Sequence, residues 1–185
     1  MTIYQEFNQL QAFARIDGVK VAVAWVMSFA CAVGTFSYPL LSHVAVLLAL
    51  ASVVFASLCV KTFRDRVRDG YIGFGQAFAY GVLIYLYASL LFALAQYLYF
   101  AFMDNGYLVG NLLAVMHTDE YMRQARAYGL NESDVELFSS LITQLRPIEI
   151  ALQFFTVNVT TGVIVSLPIA VMIRRKPRNF RNKIN

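Results

Sequence analysis

Three observations predict an all-α membrane protein, with four transmembrane helices and an extracytoplasmic helical segment between the third and fourth. Of 185 residues, 59% are hydrophobic and 14% charged, with a mean hydropathy of +0.58. Soluble chains run at roughly 45–50% apolar and about 25% charged. The apolar residues fall in long blocks instead of alternating with polar ones, and a single substantial polar stretch, 104–147, divides them. A water-soluble core is excluded, and residues 1–185 read as one integral membrane domain.

Four blocks have the length for a crossing, which takes about 20 mostly apolar residues for a hydrocarbon core of roughly 30 Å. They are approximately 21–38, 40–60, 77–103 and 148–173. Each must be helical, because backbone groups in lipid have to be satisfied within the segment. Residues 1–18 carry Glu6, Arg15 and Asp17 and lack a basic leader, and the first block has no small-residue cleavage site, so it is expected to be retained. Blocks one and two nearly touch. As one helix they would reach about 60 Å at 1.5 Å per residue, twice what a membrane needs. The chain must therefore reverse, and Gly34, Ser37, Tyr38, Pro39, Ser42 and His43 concentrate turn-forming and polar residues at that point.

Between blocks two and three, 61–70 is a basic stretch ending in Gly70 and is expected to be a loop. The third block is long, reaching about 40 Å, and should tilt or project beyond the bilayer. In the polar stretch, Ser133 and Glu136 have capping-box spacing. Val135, Leu137, Phe138, Leu141, Ile142 and Leu145 then recur at helical intervals, predicting a short amphipathic helix over 133–145 at the surface. Pro147 suits the first turn of the last helix.

With an even number of spans, the N-terminus, the 61–76 loop and the 174–185 tail share one side. That side holds every Lys and Arg except Arg123, Arg126 and Arg146. Basic residues accumulate on the cytoplasmic side, so both termini are predicted to be cytoplasmic. The formal net charge of +4 is thus assigned to orientation, and no nucleic-acid partner is expected. Arg64, Arg66, Arg68, Arg174, Arg175 and Lys176 are the candidate contacts to anionic lipid headgroups, each contributing about 1 kcal/mol near the surface.

Enzyme readings find little support. His43 and His117 are the only histidines, and no metalloprotease, nucleophile-elbow, phosphate-loop or dinucleotide fingerprint is present. No catalytic residue, cofactor or metal ligand is assigned, and His117-Thr118-Asp119-Glu120 is read as a solvated loop. Cys31 and Cys59 lie inside apolar segments and read as small apolar residues.

Polar residues inside spans carry more information, because they are costly in lipid. Tyr87, Gln96, Glu149, Gln153 and Asn158 form the candidate intramembrane polar layer. Tyr87 and Asn158 would each lie about 15 Å deep, Gln96 and Gln153 nearer the outer face, and Glu149 at its edge. The layer is read as interhelical hydrogen bonding worth about 0.6 kcal/mol per contact, ahead of a solute or proton path. On that reading Asn158→Leu should loosen helices three and four. Ala45/Ala49, Ser52/Ala56 and Gly162/Ser166 have the four-residue spacing of close helix packing. Two aromatic groups are assigned to interfacial belts, Tyr71, Phe74, Phe78 and Tyr80 at one end and Tyr97, Tyr99, Phe100, Phe102 and Tyr107 at the other.

The passage from Arg64-Asp65-Arg66 and Gly70 through Tyr71-Ile-Gly-Phe74-Gly-Gln76-Ala77-Phe78 into an aromatic helix carries a resemblance. With it go Gly129-Leu130-Asn-Glu-Ser-Asp-Val-Glu136 in the acidic segment and Ile173-Arg174-Arg175-Lys176 at the end of the last span. Over nearly its whole length the chain resembles the bacterial membrane-protein family catalogued as domain of unknown function 4199. The resemblance implies a four-helix inner-membrane protein and brings no catalytic residue with it. It also differs from the family's Asp-Pro pair after the third span, since Asp104 is followed here by Asn105-Gly106. The reading that results is a non-catalytic accessory, assembly or scaffolding protein whose external segment docks a membrane or periplasmic partner. The alternative is a small oligomeric transporter or channel built on the polar layer, and homo-oligomerisation is left open.

Overall fold

The computed structural model describes residues 3–175. The chain forms α1 (Ile3–Gly34), α2 (Leu41–Val67), α3 (Phe74–Phe102), α4 (Tyr107–Met116), α5 (Asp119–Ala127), α6 (Glu132–Gln144) and α7 (Pro147–Ile173). Four stretches are long and apolar enough to cross a membrane: Phe7–Gly34, Leu41–Val67, Phe74–Phe102 and Pro147–Ile173. The described residues contain no strand, only an isolated bridge between Ile72 and Arg175.

The crossing order agrees with the hydropathy blocks, but the ends move. The first helix starts well before residue 21 and carries Arg15, Asp17 and Lys20 within it. These residues pair with one another or with α3, so their polarity does not stop the helix. The second runs on to Val67, which puts Lys61, Arg64 and Arg66 on its last turns and not in a loop. It stops where Asp69 and Gly70 take positive φ, 50° and 82°, a conformation glycine adopts without steric cost.

α3 is the hub, packed against α1 on one side and α7 on the other, while α2 lies along α1 and touches α3 and α7. Small residues set these distances, as expected for helices that gain little from hydrophobic burial in lipid. Gly18 of α1 lies against Tyr87 and Ile84, Gly81 against Ser166, and Gly162 against Tyr85. Of the small-residue pairs read from the sequence, Gly162 and Ser166 both serve the contact with α3, and Ser52 and Ala56 are both buried. Ala45 is buried too, whereas Ala49 is exposed.

Some of the aromatic rings assigned to belts are core residues. Tyr80 is completely buried and stacks on Phe63 at 4.2 Å. Tyr99 and Phe100 pack on Phe29 of α1 at 5.2 and 6.1 Å. Phe102 is left outward at 73% exposure, as a belt residue would be. Trp25 joins α1 to both neighbours, donating to the Ser52 hydroxyl at 2.8 Å and stacking on Tyr85.

At the end opposite Arg64 the polar stretch folds into three helices where one was expected. Asp104 breaks the chain after α3, and its carboxylate accepts from the Leu108 N–H at 2.8 Å to start α4, with Asn105 and Gly106 turning at positive φ. This is where the chain departs from the Asp-Pro pattern. α5 closes on Gly129 with paired bonds from Gly129 N–H to Arg126 C=O and from Leu130 N–H to Ala125 C=O, both 3.0 Å, a Schellman end. The α6 capping box is Asn131 with Asp134, not Ser133 with Glu136: Asn131 accepts from Asp134 N–H at 3.0 Å and Asp134 returns the bond at 2.9 Å. Asn is as good a cap as Ser, and it is the first residue free to act once the Gly129 turn is complete. Met116, Ala125 and Val135 make the small core beneath.

Candidate functional site

No hydrogen bond joins the five residues of the expected polar layer to one another. Gln96 is fully buried on α3, and neither its amide N nor its O has a hydrogen-bond partner. Asn158 Nδ2 is likewise buried without one. Tyr87 turns towards α1, where Arg15 Nε donates to its hydroxyl at 3.4 Å and the guanidinium lies 5.9 Å from the ring. Gln153 is exposed. Glu149 closes the start of α7, accepting from the Arg146 N–H at 2.8 Å and from its guanidinium at 2.7 Å.

Helix register explains the split. Gly162 faces Tyr85, so the stripe of α3 that continues through Ser89, Phe92 and Gln96 is buried. Tyr87 lies two residues, or about 200°, further round at 3.6 residues per turn. The polar residue of α3 that meets α7 is therefore Tyr85, and its hydroxyl is also buried and unpartnered. Asn158 Nδ2 makes no bond to α3, so the loosening expected from Asn158→Leu has no interhelical bond behind it. Gln96→Leu follows the same logic: it removes two unpaired polar atoms at nearly constant volume, which costs little or stabilises. In detergent the variant should unfold at or above the temperature of the parent chain. A loss of more than about 1 kcal/mol would reveal a bound partner at Gln96.

A second polar cluster was not anticipated. Tyr80 Oη donates to Asp17 Oδ2 at 2.7 Å, and Lys20 donates to Asp17 Oδ1 at 2.8 Å, joining α1 to α3 inside the bundle. The signal was present in the helical spacing of Leu10, Ala14 and Val21, which are all buried and carry the apolar face of α1 past Asp17.

The six candidate headgroup contacts also differ. Arg64 is 5% exposed; it donates to Ile173 C=O at 3.0 Å and to Asp65 through two bonds of 2.7 and 3.0 Å, clipping α2 to the end of α7. Arg68 lies 5.8 Å from the Phe63 ring. Arg66, Arg174 and Arg175 are exposed, and Lys176 lies outside the described residues.

At the opposite end, α5 and α6, with His117 just after α4, border an open cavity of about 590 Å³ lined by His117, Asp119, Arg123, Arg126, Glu132 and Glu136, among others. Its charges are largely paired, Arg126 with Glu132 at 3.0 Å, and His117 Nδ1 lies 2.7 Å from Leu113 C=O. Among the described residues no three His, Cys, Asp or Glu stand where they could share a metal ion. α6 turns Val135 inward and leaves Leu137, Phe138, Leu141 and Leu145 outward, each about half exposed.

No curated protein and no solved structure gave a significant match to the chain. The family described as "Protein of unknown function (DUF4199)" matches residues 17–175, from the Asp17 cluster to the Ile72–Arg175 bridge. A match that takes in most of the first apolar helix, the other three and the three-helix cap places the chain in the DUF4199 family.

Proposed function

We propose that this protein is a non-catalytic accessory or assembly protein of a bacterial inner membrane, with both termini cytoplasmic, whose three-helix cap holds a partner membrane protein. The supporting observation is the outward stripe Leu137, Phe138, Leu141 and Leu145. The spacing puts Leu137, Phe138 and Leu141 on one side of α6, with Leu145 just past its end, and exposed apolar surface of this kind marks an interaction site. The accumulation of basic residues at the end opposite the cap supports the orientation.

A photo-crosslinking residue at Leu141, activated in native membranes, tests the reading. One stoichiometric partner protein is expected, and Phe138→Asp with Leu141→Asp should abolish its capture. Thermal unfolding of that double variant should shift by no more than about 0.5 kcal/mol, because exposed substitutions seldom do more. Crosslinks to lipid alone, or only to another copy, would sink the accessory role.

One observation favours a second reading, a small oligomeric transporter or channel. Tyr85, Gln96 and Asn158 each present an unpaired buried polar atom on the two helices that pack most broadly, and such groups ordinarily hold water or solute. Solute uptake into liposomes that falls in Gln96→Leu would favour it. The direct contacts of Gly81 with Ser166 and of Gly162 with Tyr85 support the first reading, since they leave α3 against α7 without a gap.

A further inference from the structure

Near the Arg64 end of the bundle, α2 and α7 line an outward-facing groove of about 510 Å³. Val54, Leu58, Pro168 and Met172 are among its apolar walls, and Lys61 and Arg175 stand at its charged end. We propose that this groove binds one anionic glycerophospholipid, with an acyl chain along the apolar walls and the headgroup phosphate on Lys61 and Arg175.

Three features specify that occupant. The first is length: from Val53 to Arg64 the α2 wall rises about 16 Å, close to half of a roughly 30 Å hydrocarbon core, which is the reach of a tail in one leaflet. The second is charge. Asp65 is held by Arg64 through two bonds and also lies in the field of Arg175 and Lys61, so one carboxylate faces three cations and the groove mouth keeps a net positive charge. Lys61 and Arg175 are both exposed, and neither has an ion-pair partner among the described residues.

The third is placement. Arg175 is held by two backbone bonds to Ile72, from Ile72 N–H at 3.2 Å and to Ile72 C=O at 2.9 Å. Its guanidinium therefore starts from a backbone pinned beside the groove mouth, where a free tail would disperse it. The phosphate of an anionic lipid would receive charge-assisted bonds from both groups. A second copy of the chain fits less well: a two-fold contact sets the same patch against itself, bringing two Lys61 and two Arg175 together at one depth.

The test is native mass spectrometry of the full chain in mild detergent, titrated with phosphatidylglycerol or phosphatidylcholine. One phosphatidylglycerol per monomer is expected to remain bound at concentrations where phosphatidylcholine does not. Lys61→Gln with Arg175→Gln should weaken that retention about 30-fold, whereas Arg66→Gln, on the same helix but outside the groove, should weaken it by no more than about fivefold, the share of one diffuse headgroup contact. Leu58→Trp, which narrows the groove without touching a charge, should also release the lipid, and the circular dichroism of each variant establishes that it is folded. Millimolar inorganic phosphate should not displace the lipid, because the tail contributes to binding.

Equal retention of the two lipids would overturn the proposal, as would equal loss in Arg66→Gln and the groove double variant, which is the behaviour of diffuse surface charge. Displacement by phosphate would show a headgroup ion site in place of a lipid groove. Dimers that disappear in Leu58→Trp would assign the groove to a second copy.

Discussion

Gly162→Leu is expected to separate α3 from α7 and to give the largest loss of stability among the substitutions considered. A Cβ at Gly162 would fall closer to Tyr85 Cβ than real Cβ atoms approach, with Tyr85 Cγ at 2.7 Å. Cβ is fixed by the backbone, so no rotamer change of Tyr85 clears it, and the helices themselves must move. α3 and α7 share the broadest helix contact in the protein, so displacement there propagates through the bundle. Overpacking of a filled site costs about 1–3 kcal/mol, which is the expectation for Gly162→Ala, and Leu should exceed it. Gly110→Ala provides the opposite sign, because its Cβ would meet nothing within 4 Å in the interior of α4. It should stabilise by about 0.4–1 kcal/mol through the unfolded chain. Denaturation in mixed micelles measures both, and a Gly162→Leu variant as stable as the parent would contradict the close packing of these two helices.

Asp17→Ala should cost about 1–3 kcal/mol, the penalty for stranding a buried donor. Tyr80 is wholly enclosed and stacked on Phe63, with planes 16° apart, so its hydroxyl cannot turn to another acceptor once the carboxylate is gone. Tyr80→Phe should cost less. Asp17 retains Lys20 at 2.8 Å, and its side chain is 15% exposed. The double variant should lose less than the sum of the two single losses, because removing both partners leaves neither unsatisfied. The same micelle denaturation closes this cycle, and strictly additive losses would mean that the 2.7 Å bond from Tyr80 to Asp17 contributes nothing.

Both predictions concern positions whose importance is hidden in a one-dimensional reading. Gly162 was visible as half of a small-residue pair, but so was Ala45/Ala49, of which Ala49 proved exposed. Asp17 lay ahead of the first hydropathy block and entered the sequence reading only as one of the charges of residues 1–18, although the buried spacing of Leu10, Ala14 and Val21 extends the helix past it. In the cap, the periodicity of 133–145 identified α6. It did not divide the apolar residues between Val135, which joins Met116 and Ala125 in the small core, and Phe138, which faces out.

Apolar block length and the turn residues around Pro39 are sufficient to establish four crossing helices and the reversal between the first two. The family resemblance is legible in the same way, from residues adjacent in the chain. These features follow from the transfer of single residues between water and an apolar phase, a property each residue carries whatever surrounds it. Pairing is different, because it depends on which two helices meet and on their relative rotation. Arg64 looked like a surface cation until the end of α7 supplied Ile173 C=O as its acceptor. Tyr87 looked like the partner of α7 until Gly162 set the register and turned Tyr85 there in its place. A rotation of about 100° per residue separates an interior hydrogen bond from a lipid-facing ring, and only packed helices choose between them.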